Sequence, residues 1–317
     1  MGFNINEVDK IEILTLQDNY IDLLARDNNE VVQRAMPLKG LEIKNSLLAE
    51  HGFSSVVTVT RGGESSSILF DFGFSAQGAA FNAKALDVDL SQIETCVVSH
   101  GHLDHVGGLA ELMKGIGKQK VDLVIHPEAF RKPRYLKITD EFKVFFPSFE
   151  KEMVEAAGLN VVETEVPYPL LDGDLLFLGE VPRQTDFENG MPSAYYEKDG
   201  KETWDDIIDD SSVVAHVKGK GLVILSGCGH SGIINTVRYA GEVTGVKEVY
   251  AVMGGFHLSG DEMQPAVAPT IQGLKEMDPT FVIPTHCTGR DAILEIEREM
   301  PDRFILNMVG TRLTFAG

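Results

Sequence analysis

Short apolar runs rich in Val and Ile recur along the chain: IEILTL (11–16), SVVTVT (55–60), ILFDF (68–72), TCVVS (95–99), LVIH (123–126), LLFLG (175–179), VVAHV (213–217), LVILS (222–226), VYAVM (249–253) and FVIP (281–284). Each is too short for a buried helix and is rich in strand formers, so the pattern predicts ten strands. Between them the apolar spacing becomes helical. Helices are predicted at AQGAAFNAKAL (76–86), DHVGGLAELMKG (from 104), FEKEMVEAAG (149–158), SGIINTVRYAGEVTG (from 231), and near 264–277 and 289–299. Strands alternating with helices predict an α/β protein with layered sheets. Two polar connections, about 18–50 and 182–212, are long for linkers and read as lids or binding loops, or else as disordered. No segment repeats at solenoid or propeller spacing.

A length of 317 residues with 43% hydrophobic composition can bury a large core and is read as one domain spanning 1–317. The net charge of −20 repels phosphate backbones and anionic lipid, which excludes nucleic acid and membrane surfaces as expected partners. A small phosphorylated ligand stays compatible, because local cations act within a Debye length of about 8–10 Å. Cationic candidates are Arg131, Lys132 and Arg134 in FRKPRY, and Arg183 in PRQTDFE. The N-terminal stretch has no basic start followed by an apolar run, and no later stretch is long enough to span a bilayer, so a cytoplasmic protein is expected. Cys96, Cys228 and Cys287 are too few and scattered for a disulfide framework, and read as reduced thiols or ligands.

The chemistry concentrates in TCVVSHGHLDHVGGL (95–109), where a strand runs into His100, His102, Asp104 and His105 and then into a glycine-rich helix start. Alternate residues of extended chain point the same way, so His100 and His102 can share one metal while Asp104 and His105 turn toward a second. Imidazole and carboxylate donors suit Zn²⁺ best, with Fe and Mn²⁺ also accepting the mixture. Gly101 is expected to let the backbone pass close to the metals. Further ligands must come from elsewhere. LVILSGCGHSGIINT (222–236) delivers Cys228 and His230 from a strand end, and FVIPTHCTGRDAI (281–293) delivers His286 in the same way. Cys228 is read either as a ligand or as a packing thiol. His257, behind paired glycines in VMGGFHLSG, is a candidate general acid or substrate contact. Asp71, at the end of ILFDFG, is read either as an acceptor for a ligating imidazole or as a turn former. His126 and His216 read as framework residues, and His51 is left open.

With these residues in place, His100-x-His102-x-Asp104-His105, led by VVSH and trailed by GGL, resembles the signature of the metallo-β-lactamase superfamily. The blocks AEHGFS (49–54), ILFDFG (68–73), SHGHLDHVGGL (99–109), LSGCGHSGIINT (225–236), GGFHL (254–258) and PTHCTG (284–289) resemble the branch named for dihydropterin-aminobenzene-ribofuranosyl phosphate synthase. The resemblance implies a four-layer αββα sandwich with metals at one edge. It makes His100 and His102 the first-metal pair, Asp104 and His105 the second-metal pair, and His286 the last histidine of the pattern. Two departures stand out. Cys228 occupies the place of a bridging aspartate, and GEVPRQTDFE (179–188) lacks the usual third histidine, for which His230 can substitute.

The leading expectation is a metal-dependent hydrolase acting on a small, phosphorylated ester through metal-activated water, with one or two zinc ions, Asp104 orienting the nucleophile and His257 donating a proton. A synthase joining a dihydropterin to a ribosyl aminobenzoate phosphate is the alternative, for which Phe187, Tyr195, Tyr196 and Trp204 are candidate stacking residues. A metal-bound sensor without turnover is the third. Oligomeric state is not readable.

Overall fold

The computed structural model describes residues 3–317. All ten expected runs form strands, and they sort into two sheets packed face to face. One has eight strands in the spatial order Leu159–Glu163, Val121–Ile125, Ile93–Val97, Glu64–Phe70, Ser54–Arg61, Lys10–Gln17, Arg312–Ala316 and Val32–Gln33. The other has seven, running from Tyr168–Leu170 through Leu175–Phe177, Ser212–Val217, Gly221–Ser226 and Val249–Gly255 to Phe281–Thr285, with Glu7–Val8 beside Ser212–Val217. In each sheet the strands that precede the expected ligands pair in parallel, so the chain leaves them at one common edge.

The apolar runs are continuous because both faces of these strands are covered. Phe70, Val97, Phe177, Val213, Ala215, Val223, Leu225 and Met253 fill the space between the sheets. Their neighbours in register, such as Leu176, Val214, Leu222 and Ile224, face the helices Ile233–Thr244, Gln264–Met277 and Arg290–Glu299. On the far side, Leu69, Cys96, Val98 and Leu123 pack against Gly78–Ala85, Leu109–Ile116 and Lys151–Ala156. The layers are therefore α, β, β, α. The helix expected from residue 104 is two pieces, Leu103–Val106 and Leu109–Ile116, broken at Gly107, where a Cβ would lie 1.8 Å from the Phe74 carbonyl oxygen.

The long connections hold secondary structure of their own. Within residues 182–212, Ala194–Lys198 and Lys201–Trp204 form a hairpin that joins Arg134–Lys137 and Lys143–Phe145 in a four-stranded antiparallel sheet. The connection 18–50 carries the short strands Val32–Gln33, Leu38–Lys39 and Glu42–Ile43. The strand Arg312–Ala316, absent from the sequence pattern, completes the first sheet against Lys10–Gln17. Among the described residues no helix is long and apolar enough to cross a membrane.

Phe177 is fully buried between the sheets, so Phe177→Ala removes a large side chain from a site that cannot collapse freely. The expected loss is about 3–5 kcal/mol of unfolding free energy, read from urea denaturation at unchanged m-value. A loss under 1 kcal/mol would contradict this packing.

Candidate metal centre

All seven residues expected as ligands meet at the common edge of the two sheets. The backbone is still extended at His102 (φ −77°, ψ 149°), which keeps His100 and His102 on one side: His100 Nε2 lies 3.1 Å from His102 Nδ1. The helical turn Leu103–Val106 then redirects the chain and brings Asp104 Oδ2 within 3.6 Å of His105 Nε2. From the other sheet, Cys228 Sγ comes within 3.1 Å of His105 Nε2, and His286 Nε2 within 3.1 Å of Asp104 Oδ2. The His230 ring stands 4.9 Å from His100 and 5.0 Å from His102, centroid to centroid. Two overlapping donor groups result, Asp104–His105–Cys228–His286 and His100–Cys228–His230, each with its donor atoms within 4.8 Å of one another. Cys228 belongs to both.

The donor set fits a metal ion. Donors around tetrahedral zinc, with Zn–N about 2.0–2.1 Å, stand roughly 3.3–3.4 Å apart, close to the separations here. His230 is buried with neither ring nitrogen hydrogen-bonded. Leaving a buried polar group unsatisfied costs about 1–3 kcal/mol, and coordination removes that cost. Zinc's preference for mixed nitrogen and sulfur donors matches the chemistry present.

Asp71 holds the arrangement from beneath. It is fully buried at φ 58°, and its Oδ1 accepts the Ser99 N–H at 2.7 Å. Its Oδ2 accepts from the Ser99 hydroxyl at 2.8 Å and from His105 Nδ1 at 2.7 Å, which turns His105 Nε2 toward Cys228. Of the two roles that the sequence leaves open for Asp71, the acceptor role is the one filled.

At Gly101 a Cβ would lie 1.9 Å from the Ala129 carbonyl oxygen, so this position needs glycine for a close backbone approach. Its N–H donates to Asp209 Oδ2 at 2.9 Å, and Asp209 in turn is paired with Arg134 at 2.5 Å, both side chains buried. The basic cluster expected to bind an anion is engaged by protein partners, with the Arg134 side chain buried, that of Arg131 largely so, and Lys132 in a surface pair. Arg134 also meets Asp205, Arg131 meets Asp205, Asp206 and Glu128, Lys132 meets Glu150, and Arg183 donates to the Asp206 and His230 carbonyls. The candidate stacking aromatics are likewise engaged in packing. Arg131 covers the Tyr196 ring, Tyr195 stacks on Tyr135, Trp204 Nε1 donates to the Met191 carbonyl, and Phe187 packs against the helix-side core.

Electrostatics separate the histidines. Burial drives His100 and His230 well below the ordinary imidazole range, and burial together with the Arg134 charge takes His102 down to about 3, so all three present lone pairs at neutral pH. Burial also opposes charge on His105, but the Asp104 and Asp71 carboxylates outweigh it and raise that group to about 9. This end of the site thus carries the negative potential that favours a cation. Burial and the neighbouring Cys287 thiol push Cys228 well up, so its proton must leave when it ligates.

His257 sits inside the site: its ring centroid is 4.1 Å from that of His230, its φ is 44°, and its Nδ1 has no partner. With Cys228 and Cys287 it forms a third group of potential donors. His126 caps the turn Pro127–Phe130 through Nδ1, and His216 stands 3.8 Å from Glu7, both framework positions. His51, left open by the sequence, stands beside the ligand candidates. Its Nε2 lies 3.4 Å from Asp104 Oδ2, its Nδ1 is 3.3 Å from the Asn19 amide, and its ring is 4.7 Å from His286. The available signal was its place in the AEHGFS block.

Residues 50–241 match the family model of the metallo-beta-lactamase superfamily, and the chain belongs to that superfamily, whose members are mostly metal-binding enzymes. It is 30% identical over 296 residues, 91% of each chain, to 7,8-dihydropterin-6-methyl-4-(beta-D-ribofuranosyl)-aminobenzene-5'-phosphate synthase of Methanocaldococcus jannaschii. A second protein of that organism, the uncharacterized MJ0448, is 31% identical over 83% of this chain and 92% of its own. Among solved structures, one described as a metal-dependent hydrolase of the beta-lactamase superfamily superposes with a TM-score of 0.72 at 24% identity, covering 97% of this chain and 100% of that one.

Asp71→Ala leaves His105 free to rotate. Metal affinity measured by chelator competition is expected to fall about 10–100-fold while far-ultraviolet circular dichroism is unchanged. Unaltered affinity would mean that ring orientation does not depend on this carboxylate.

Proposed function

We propose that the chain is a metal-dependent hydrolase that acts on a small, phosphorylated ester. One observation carries the reading: His100, His102, Asp104, His105, Cys228, His230 and His286 converge from separate strand ends on one edge, with Cys228 Sγ common to two donor groups. In this reading His100, His102 and His230 would hold one zinc ion and Asp104, His105 and His286 a second, with Cys228 Sγ a donor within reach of either group. Bound zinc lowers the pKa of a coordinated water toward neutrality and polarises the ester oxygen.

The chain's own residues do the rest. Asp104 Oδ2, flanked by His51 Nε2 at 3.4 Å and His286 Nε2 at 3.1 Å, orients the attacking oxygen. His257 Nδ1, free of protein partners and inside the site, holds the proton taken by the leaving group. Burial of the histidines and Cys228 excludes bulk water from the inner wall, which strengthens each of these interactions.

Elemental analysis together with a panel of chromogenic phosphodiesters, phosphomonoesters and thioesters tests the proposal. The expected result is two metal ions per chain and turnover of at least one ester, with His102→Ala lowering kcat/KM by about 100-fold or more, some 2.7 kcal/mol of transition-state stabilisation. Cys228→Asp is expected to keep two ions, since a carboxylate is also an anionic metal donor, whereas Cys228→Ala is expected to retain about one. Equal metal content in all three proteins would remove Cys228 from the ligand set.

A second reading is a synthase like the methanopterin-pathway relative, favoured by identity that extends over 91% of both chains. Silence across the ester panel, with product formed only when a dihydropterin and a ribosyl aminobenzene phosphate are both supplied, would replace hydrolysis by condensation.

A further inference from the structure

One thiol of the metal centre has no part in the proposed reaction. Cys287 follows His286 directly, is buried, and forms no disulfide. Its Sγ, Cys228 Sγ and a ring nitrogen of His257 all lie within 4.8 Å of one another. Two sulfurs and one nitrogen around a tetrahedral zinc ion stand roughly 3.5–3.8 Å apart, a spacing inside that limit.

The surrounding backbone holds these donors together. The Phe256 N–H donates to the Thr288 hydroxyl at 3.0 Å, which ties the loop carrying His257 to the turn His286–Thr288 that carries Cys287. Cys287 Sγ donates to the Cys228 carbonyl at 3.3 Å. At Gly255 a Cβ would lie 2.5 Å from Cys287 Sγ, so the sulfur has room only beside a glycine. His257 stands at φ 44°, in the left-handed region that residues with a Cβ rarely adopt, and its Nδ1 is shut from solvent without a hydrogen-bond partner. A strained backbone and an unsatisfied nitrogen are both costs, and both persist in proteins where a ligand makes use of them.

Cys96 shows what a packing thiol looks like in this fold. It sits among Leu69, Val98 and Leu123 on the helix side of its sheet, and among the described residues it belongs to no donor group. Cys228 and Cys287 are the reverse: they stand outside the apolar clusters and beside nitrogen donors.

We infer that Cys228, Cys287 and His257 form a third, sulfur-rich metal position for a thiophilic cation, and that filling it inhibits turnover. Thiolates are soft donors and select soft or borderline cations such as zinc in excess or cadmium. Ligation displaces the two thiol protons into solvent. It also engages the imidazole assigned to hold the leaving group's proton, so the third ion and proton transfer exclude one another. This effect on turnover rests on the hydrolase reading, whereas the position itself does not.

Zinc-loaded protein equilibrated with one equivalent of cadmium, followed by X-ray absorption at the cadmium edge, tests the position. Two sulfur neighbours are expected in wild type and one in Cys287→Ser. His257→Ala is expected to keep both sulfurs. Cadmium affinity from chelator competition is expected to fall about tenfold or more in each variant, since losing a ligand costs at least as much as losing its hydrogen-bonded support. Fewer than two sulfurs around cadmium in wild type, or equal affinity in all three proteins, would overturn the position. In the ester assay, inhibition of Cys287→Ser is expected to need about tenfold more cadmium than inhibition of wild type. Turnover indifferent to cadmium bound at two sulfurs would overturn the inhibition. Cys287-dependent cadmium binding together with silence across the ester panel would instead remove the hydrolase reading and leave the metal position in place.

Discussion

Everything at the edge of the sandwich depends on one buried carboxylate. Asp71 is inaccessible to solvent, yet three donors converge on it: the Ser99 amide, the Ser99 hydroxyl and His105 Nδ1. A desolvated carboxylate is costly unless its lone pairs are filled, so this group can exist only where the strand ends at Phe70 and Val97 bring Ser99 and His105 to it. The requirement works in both directions. The carboxylate fixes the angle of His105, and the loop that carries His100 to His105 supplies the donors the carboxylate needs.

A similar dependence runs through the second support, the pair formed by Asp209 and Arg134. Asp209 accepts the Gly101 N–H in the middle of the ligand loop, and Arg134 neutralises Asp209. The small four-stranded sheet is therefore part of the site's scaffold, and its arginines stabilise the loop from behind. From the other sheet, Cys228 Sγ reaches to within 3.1 Å of His105 Nε2. If it ligates as proposed, a soft thiolate donor would favour zinc over magnesium, calcium or manganese.

Much of this was legible locally. The ten strands could be read because continuous apolar runs survive without knowledge of their partners, and His100 to His105 because four donors fall within six residues. What was not legible depends on contacts remote in sequence. Arg134 reads as a surface cation until Asp209, 75 residues away, is seen to bury with it. The strand Arg312–Ala316 is only five residues long and takes its meaning from pairing with Lys10–Gln17. His51 is a lone histidine whose significance comes from Asp104 and Asn19. The hairpin within 194–204 is polar on its exposed side and shows no apolar run to mark it.

The contact between Asp104 and His286 spans 182 residues of sequence. Loop closure of that length, and the pairing of strands from opposite ends of the chain, make the site a late event in folding. Neither half of the protein contains a coordination shell by itself. A ligand held by both halves adds its binding free energy to the stability of the whole, and local opening of either half dismantles it. Were metal held as proposed, its occupancy would be a gauge of global folding, and a chain trapped partway through folding or damaged at either end would surrender its ions before it lost its secondary structure.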